Sequence, residues 1–213
     1  TETFDVCLRS TAAWIRAVEF SQEHGGKPAM ALTRPPGHHA TREVSNGFCI
    51  FNFAAAAAVH ALQDPRCKVS ILDWDVHYGQ GVCDIVQHFP NCRYVSIHQT
   101  PAFPYMGESK QKTGAHHNIF TIPIVAETTW TCGYNDAFSK ALDFIAMDGE
   151  WSPDVVIVCA GYDALDSDEL ASVSLQASDY GLMAGLLRTR LDELAVAACG
   201  ANTARPALAF GLE

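Results

Sequence analysis

The chain has no apolar run of the roughly eighteen residues that a membrane span requires. Its first residues, Thr1 to Arg9, carry neither the basic region nor the apolar stretch of a signal peptide. Neither membrane insertion nor secretion is expected, so the sequence reads as intracellular, in cytoplasm or nucleus. It is also poor in positive charge: 14 Lys and Arg stand against 24 Asp and Glu, a formal net charge of −10, and the cations are dispersed. A phosphate-gripping surface needs a basic patch, so direct nucleic-acid binding is not expected. A cationic partner such as a basic peptide or a polyamine is electrostatically easier. The eight cysteines include no pair at zinc-finger spacing. Cys7, Cys49, Cys67, Cys83, Cys92, Cys132, Cys159 and Cys199 read as reduced core thiols. Internal repeats, low-complexity tracts and linkers are lacking too.

What is there suits one domain with a substantial core: 213 residues, 48% of them hydrophobic. Apolar runs bounded by Gly, Pro, Asn and Asp alternate with amphipathic stretches, the rhythm of an α/β chain. Val69 to Leu72, Tyr94 to Ile97, Ile119 to Ile124, Val155 to Cys159 and Ala207 to Phe210 are predicted strands. Their continuous apolar character fits strands buried on both faces. Helices are predicted near Phe4 to Phe20, Phe48 to Leu62, Gly81 to Phe89, Tyr134 to Met147 and Asp179 to Ala198. The run Ala54 to Ala58 combines high helix propensity with small side chains, as in a helix pressed close to a sheet.

The chemistry sits in three segments. His38 and His39 follow a stiff Arg34-Pro35-Pro36-Gly37 turn. Downstream, Asp73-Trp74-Asp75-Val76-His77 begins where the strand Val69 to Leu72 runs out. If the backbone stays extended, side chains at i, i+2 and i+4 point one way, so Asp73, Asp75 and His77 are expected on one side. Standing alone, this would ordinarily be an acidic turn with a solvated histidine. A second strand, however, ends in Cys159-Ala160-Gly161-Tyr162-Asp163 and delivers another carboxylate, with Gly161 permitting close backbone approach. Strand ends are where open parallel sheets place their sites. Asp75, His77 and Asp163 make three protein ligands and leave a position for water and substrate, the pattern of a catalytic zinc. A metal gives the histidine pair work as general base and acid, with Asp73 as a carboxylate partner. His116-His117 lacks such flanking residues and reads as a solvated pair, as do His24, His60 and His88.

Arg34 to Ala40, Gly47 to Asn52, Asp73 to Gly81, Ser96-Ile97-His98-Gln99, Gly161 to Ala164 and Phe210-Gly211-Leu212-Glu213 together resemble the histone deacetylase family. The branch is that of the class II enzymes and the acetylpolyamine amidohydrolases, and the motifs fall in the family order along nearly the whole chain. The resemblance implies an arginase/deacetylase-type three-layer α/β fold, a parallel sheet with helices on both faces. It implies zinc on Asp75, His77 and Asp163, and His38 and His39 as the tandem histidines, the second as general base and acid. It implies that Asp73 bonds to His38 and helps hold a structural potassium ion, with Ser96 nearby. Phe48 and Phe103 would wall a tunnel for the substrate's alkyl chain, with Leu170 near its rim.

The implied function is zinc-dependent hydrolysis of the acetyl amide of acetyl-lysine in histones or other proteins. Acetylpolyamine hydrolysis, or a weakened acyl-lysine binding module, is the alternative. Three departures bear on this. Where the family branch usually has His-Gly-Asn, this chain has Tyr78-Gly79-Gln80, and Gln80 is one methylene longer than the expected partner of His39. The loop Phe103-Pro104-Tyr105-Met106-Gly107 replaces a Phe-Pro-Gly-Thr-Gly type. The family's first strand and a rim aspartate would precede Thr1, and its Gly-Gly-Tyr, whose tyrosine donates to the oxyanion, would follow Glu213. Residues 1–213 are therefore expected to be a single deacetylase-like domain truncated at both ends.

Overall fold

The computed structural model describes residues 2–146, 151–197 and 205–213. The elements run α1 (Glu2–Glu23), β1 (Ala29–Ala31), α2 (Phe53–Ala61), β2 (Val69–Asp73), α3 (Gln80–Val86), β3 (Cys92–Gln99), β4 (Gln111–Thr113), β5 (Ile119–Ile124), α4 (Tyr134–Ala146), β6 (Val155–Ala160), α5 (Ala177–Ala197) and β7 (Ala207–Leu212). Seven strands form one sheet in the order β1-β7-β6-β2-β3-β5-β4. Every neighbouring pair is parallel except β4 with β5, which lies at one edge.

Alternation along each strand divides the core into two layers. Val155, Ile157 and Cys159 of β6 point with Ile71 and Tyr94 towards α1, α2 and α3. Val156, Val158 and Ala160 point with Leu72 and Val95 towards α4 and α5. The result is the expected three-layer α/β arrangement, a mostly parallel sheet covered on both faces. No helix among the described residues is long and apolar enough to cross a membrane.

The five predicted strands and five predicted helices all form, with shifts at their ends. The largest shift concerns the helix predicted from Phe48, since α2 starts only at Phe53. Asn52 has extended backbone and its side-chain oxygen accepts the N–H of Ala55 at 2.9 Å, which fixes the helix start there. Phe48 instead sits in a turn with φ of 65°. Ala54, Ala55, Ala57 and Ala58 are fully buried, so the alanine run does let α2 lie close on the sheet. Two predicted helices end on residues outside the described set, Met147 and Ala198. Strands β1 and β4 were not predicted.

The chain passes from β2 outward through β3 and β5, then returns to place β6 on the other side of β2. The carboxyl ends of β2 and β6 thus flank the point where the winding reverses, the crevice in which open α/β sheets hold their ligands. The extended-backbone expectation is corrected here: β2 stops at Asp73, and residues 75–77 form a bend. Of the thiols expected in the core, Cys7, Cys49, Cys67, Cys92 and Cys159 are buried, Cys83 is half-buried and Cys132 is exposed. Cys199 lies outside the described residues.

Helix α1 rests on β7 with no space to spare. A Cβ on Gly211 would overlap the ring of Trp14, which is itself buried. Gly211→Ala is expected to lower stability in urea unfolding by about 1–3 kcal/mol, the usual cost of overpacking. A loss under about 0.5 kcal/mol, typical of an unconstrained surface position, would contradict this packing.

Candidate active site

The site is built where the turn carrying the histidine pair meets the ends of β2, β6 and β7. Glu213, following β7, accepts the N–H groups of Gly37 and His38 through Oε2 at 2.6 and 3.0 Å. Asn52 donates through Nδ2 to the carbonyls of Ala40 and His38, at 2.9 and 3.4 Å. Val82 of α3 donates its N–H to the His38 carbonyl at 3.1 Å. Gly81 packs so tightly that a Cβ there would overlap the backbone of Ala40. The turn is therefore held from three elements through backbone groups, and its two side chains are left to face the site.

Both imidazoles are buried, with centroids 3.9 Å apart. His38 Nδ1 lies 3.1 Å from Asp73 Oδ2, and its Nε2 lies 3.7 Å from Asp75 Oδ1. Burial disfavours charge on His38, but the carboxylates of Asp75 and Asp73 outweigh it and raise its pKa well above the ordinary imidazole value. His39 goes the other way. Burial, followed by the charge of His38, lowers its pKa to about 3. Its Nδ1 lies 2.7 Å from Gln80 Oε1, while Gln80 Nε2 donates to the His39 carbonyl at 3.3 Å. The extra methylene of Gln80 thus lets the amide grip both ring and backbone of His39. An amide oxygen can only accept, so Nδ1 of His39 carries the hydrogen and Nε2 keeps its lone pair.

Asp75, His77 and Asp163 come together as a second cluster whose candidate ligand atoms lie within 4.8 Å of one another. His77 Nδ1 sits 2.8 Å from Asp163 Oδ2 and 3.2 Å from Asp75 Oδ1. The bend places the carboxylates by backbone capping. Asp75 Oδ1 accepts the N–H of His77 at 2.8 Å, and Asp163 Oδ1 accepts that of Val76 at 2.9 Å. Gly161 permits this approach, since a Cβ there would overlap the Asp75 side chain. Burial, aided by the charge of Asp75, raises the Asp163 pKa to about 6. Burial opposes charge on His77, but its bonds to Asp163 and Asp75 prevail and raise its pKa to about 9. Two crowded carboxylates that hold a proton on the adjacent imidazole make a pocket suited to a cation.

Asp73 stands behind both clusters. It is fully buried, and its Oδ1 accepts the N–H of Asp75 at 3.2 Å. Asp73 and Ser96 are register partners on β2 and β3, and Ser96 Oγ lies 2.9 Å from His98 Nδ1. Phe103 stands edge-on to His39 at 4.9 Å and to His77 at 6.4 Å between centroids. Gly47, adjacent to Phe48, abuts His39 and Phe103 with no room for a side chain. Phe48 itself is 84% exposed, and Leu170, on the segment after β6, is 77% exposed. His24, His88, His116 and His117 are exposed, while His60 is half-buried beside Glu19.

Sequence reasoning did not single out Tyr94, Glu213 or Asn52 as groups that hold the site. A polar signal was present for Tyr94, because a phenol buried in the middle of a strand needs a hydrogen-bond partner.

Against known proteins, the family profile described as "Histone deacetylase domain" matches residues 1–201. An uncharacterized protein of Synechocystis sp. is 39% identical over 184 residues, covering 85% of this chain and 59% of that protein. The chloroplastic histone deacetylase 10 of Oryza sativa subsp. japonica is 32% identical over 209 residues, covering 93% of this chain and 45% of that protein. Among solved structures, an acetylpolyamine aminohydrolase from Burkholderia pseudomallei superposes with a TM-score of 0.79 at 26% identity, covering 95% of this chain and 55% of that one. The chain spans about half the length of the curated relatives it matches. With a fold, a family profile and relatives in agreement across most of its residues, the chain belongs to the histone deacetylase family.

Proposed function

We propose that the chain is a zinc-dependent deacetylase that hydrolyses the acetyl amide of acetyl-lysine in histones or other proteins. The carrying observation is one imidazole and two carboxylates within 4.8 Å of one another, beside a buried histidine pair. Asp75, His77 and Asp163 are the zinc ligands in this reading. Three nitrogen and oxygen donors suit zinc and leave room for water and substrate, unlike the closed four-ligand set of a structural site. The chemistry supplied by bound zinc is Lewis acidity towards the amide carbonyl and towards water.

The chain's own groups do the rest. His39 is neutral at physiological pH because its pKa is lowered to about 3. With Nδ1–H donated to Gln80, its Nε2 takes a proton from the attacking water and passes it to the departing amine. Asp73, 3.1 Å from His38 Nδ1, orients that imidazole and favours its charged form beside the charge that develops on the amide oxygen. Phe48 and Phe103 wall the passage for the alkyl chain, with Leu170 at its rim. Asp73 and Ser96 would help to hold a structural potassium ion, whose charge would offset that of the buried carboxylate.

Acetylpolyamine is the second substrate class. It is supported by the likeness to the Burkholderia acetylpolyamine aminohydrolase and by the net charge of −10, which favours a cationic amine.

Incubation of the zinc-loaded protein with an acetyl-lysine peptide and with N-acetylputrescine tests the reading. Release of acetate from the peptide is expected, and no release from either substrate would refute the deacetylase. His39→Ala is expected to cut kcat by about 10²–10⁴ while leaving zinc content unchanged. Equal turnover by the variant would remove His39 from the mechanism. For the metal, zinc is expected to bind at one ion per chain and to raise the melting temperature. Asp75→Ala should abolish both effects, measured by atomic absorption and thermal unfolding, and full retention of zinc would place the ion elsewhere.

A further inference from the structure

Tyr94 lies in the middle of β3, fully buried, on the face shared with α1, α2 and α3. Its hydroxyl donates to Asp73 Oδ2 at 2.8 Å, the same oxygen that faces His38 Nδ1 at 3.1 Å. The hydroxyl also stands 3.1 Å from the carbonyl of Gly79, the residue just ahead of Gln80. Gly79 is fitted closely around this junction. A Cβ there would overlap Asp73 Oδ2 and the Tyr94 hydroxyl and would press on His38 Nδ1.

One phenol therefore touches both supports of the histidine pair: the Asp73 carboxylate that holds His38, and the segment that presents Gln80 to His39. Taking the proposed deacetylase reading, in which His38 and His39 are the catalytic pair, we infer that Tyr94 is their positioning residue. Its hydroxyl fixes the Asp73 carboxylate and ties it to the Gly79–Gln80 segment, so that the two imidazoles keep a common register.

The chemistry fits a donor that does not change state. Burial, with the charge of Asp73, raises the Tyr94 pKa well above the ordinary phenol value, so the hydroxyl keeps its hydrogen. Its single hydrogen is shared between the two acceptors, the nearer, charged carboxylate taking the larger part and the Gly79 carbonyl the smaller. A phenylalanine keeps the ring and its packing, and removes only this bridge.

The test is Tyr94→Phe in the zinc-loaded protein, read in two independent ways. In proton NMR, the His38 Nδ1 hydrogen bound to Asp73 is expected as a downfield resonance, assigned by its loss in His38→Ala. It should shift or broaden in the phenylalanine variant as the carboxylate loses its second donor. In steady-state kinetics, kcat should fall about 10- to 100-fold with KM and zinc content unchanged, the scale of losing an outer hydrogen-bond partner, in protein that stays folded at the assay temperature with a modestly lowered melting temperature. An unaltered resonance with unaltered kcat would overturn the assignment. So would a fall in kcat that follows loss of zinc or of folded protein, which would mark Tyr94 as structural only. If the unsubstituted protein hydrolyses no acetylated amine, the deacetylase reading fails. The resonance alone then decides: a shift upholds the role of Tyr94 in positioning the pair, and no shift removes it.

Discussion

The structure depends on four carboxyl groups gathered at one end of the sheet, where water is largely excluded. Asp73, Asp75, Asp163 and Glu213 come from the ends of three neighbouring strands, β2, β6 and β7. Like charges about 4 Å apart repel by about 4 kcal/mol at the effective dielectric of a protein. The group persists only with compensating positive charge or bound protons. Burial raises the pKa of Asp163 to about 6 and that of Glu213 to about 7. Asp75 stays ionised because His38 and His77 face it. A divalent cation between Asp75, His77 and Asp163 would relieve the same repulsion, taking over compensation that protons on His38 and His77 otherwise supply.

Holding that arrangement requires backbone to come unusually near side chains. Gly79 and Gly161 each border a carboxylate at a distance that admits no Cβ, and Gly81 does the same against the histidine turn. The helices contribute through their first turns: Asn52 starts α2 while donating to the turn, and Gln80 starts α3 while holding His39. Secondary structure and site are thus specified by the same residues. The wider fold, with its reversal of winding between β2 and β6, brings these first turns and strand ends to one crevice.

Much of this was legible in the sequence. Strands β2, β5 and β6 read clearly because they are short, mainly apolar and rich in β-branched residues, with turn residues near their ends. Asp75, His77 and Asp163 could be singled out together because each lies just past a strand, and the fold does bring their candidate ligand atoms within 4.8 Å of one another. The segments that escaped did so for physical reasons. β1 is three residues long and β4 is the polar Gln111-Lys112-Thr113, so neither carries a burial pattern. The helix expected from Phe48 was overextended because apolar residues continue back to Phe48, whereas the cap at Asn52 sets the boundary. Extended geometry beyond Asp73 was also wrong in detail, since residues 75–77 bend and cap their own backbone. Tyr94 and Glu213 escaped because their partners, Asp73 and the Gly37–His38 amides, are 21 and more than 170 residues away along the chain.

The central claim is that Asp75, His77 and Asp163 form a zinc site made of oxygen and nitrogen donors. X-ray absorption at the zinc edge, on protein loaded with one equivalent of zinc and dialysed, tests it most directly. The account predicts a first shell of oxygen and nitrogen at about 2.0–2.2 Å, with no sulfur, that is lost in Asp163→Ala. A sulfur shell at about 2.3 Å, or no zinc retained after dialysis, would contradict it.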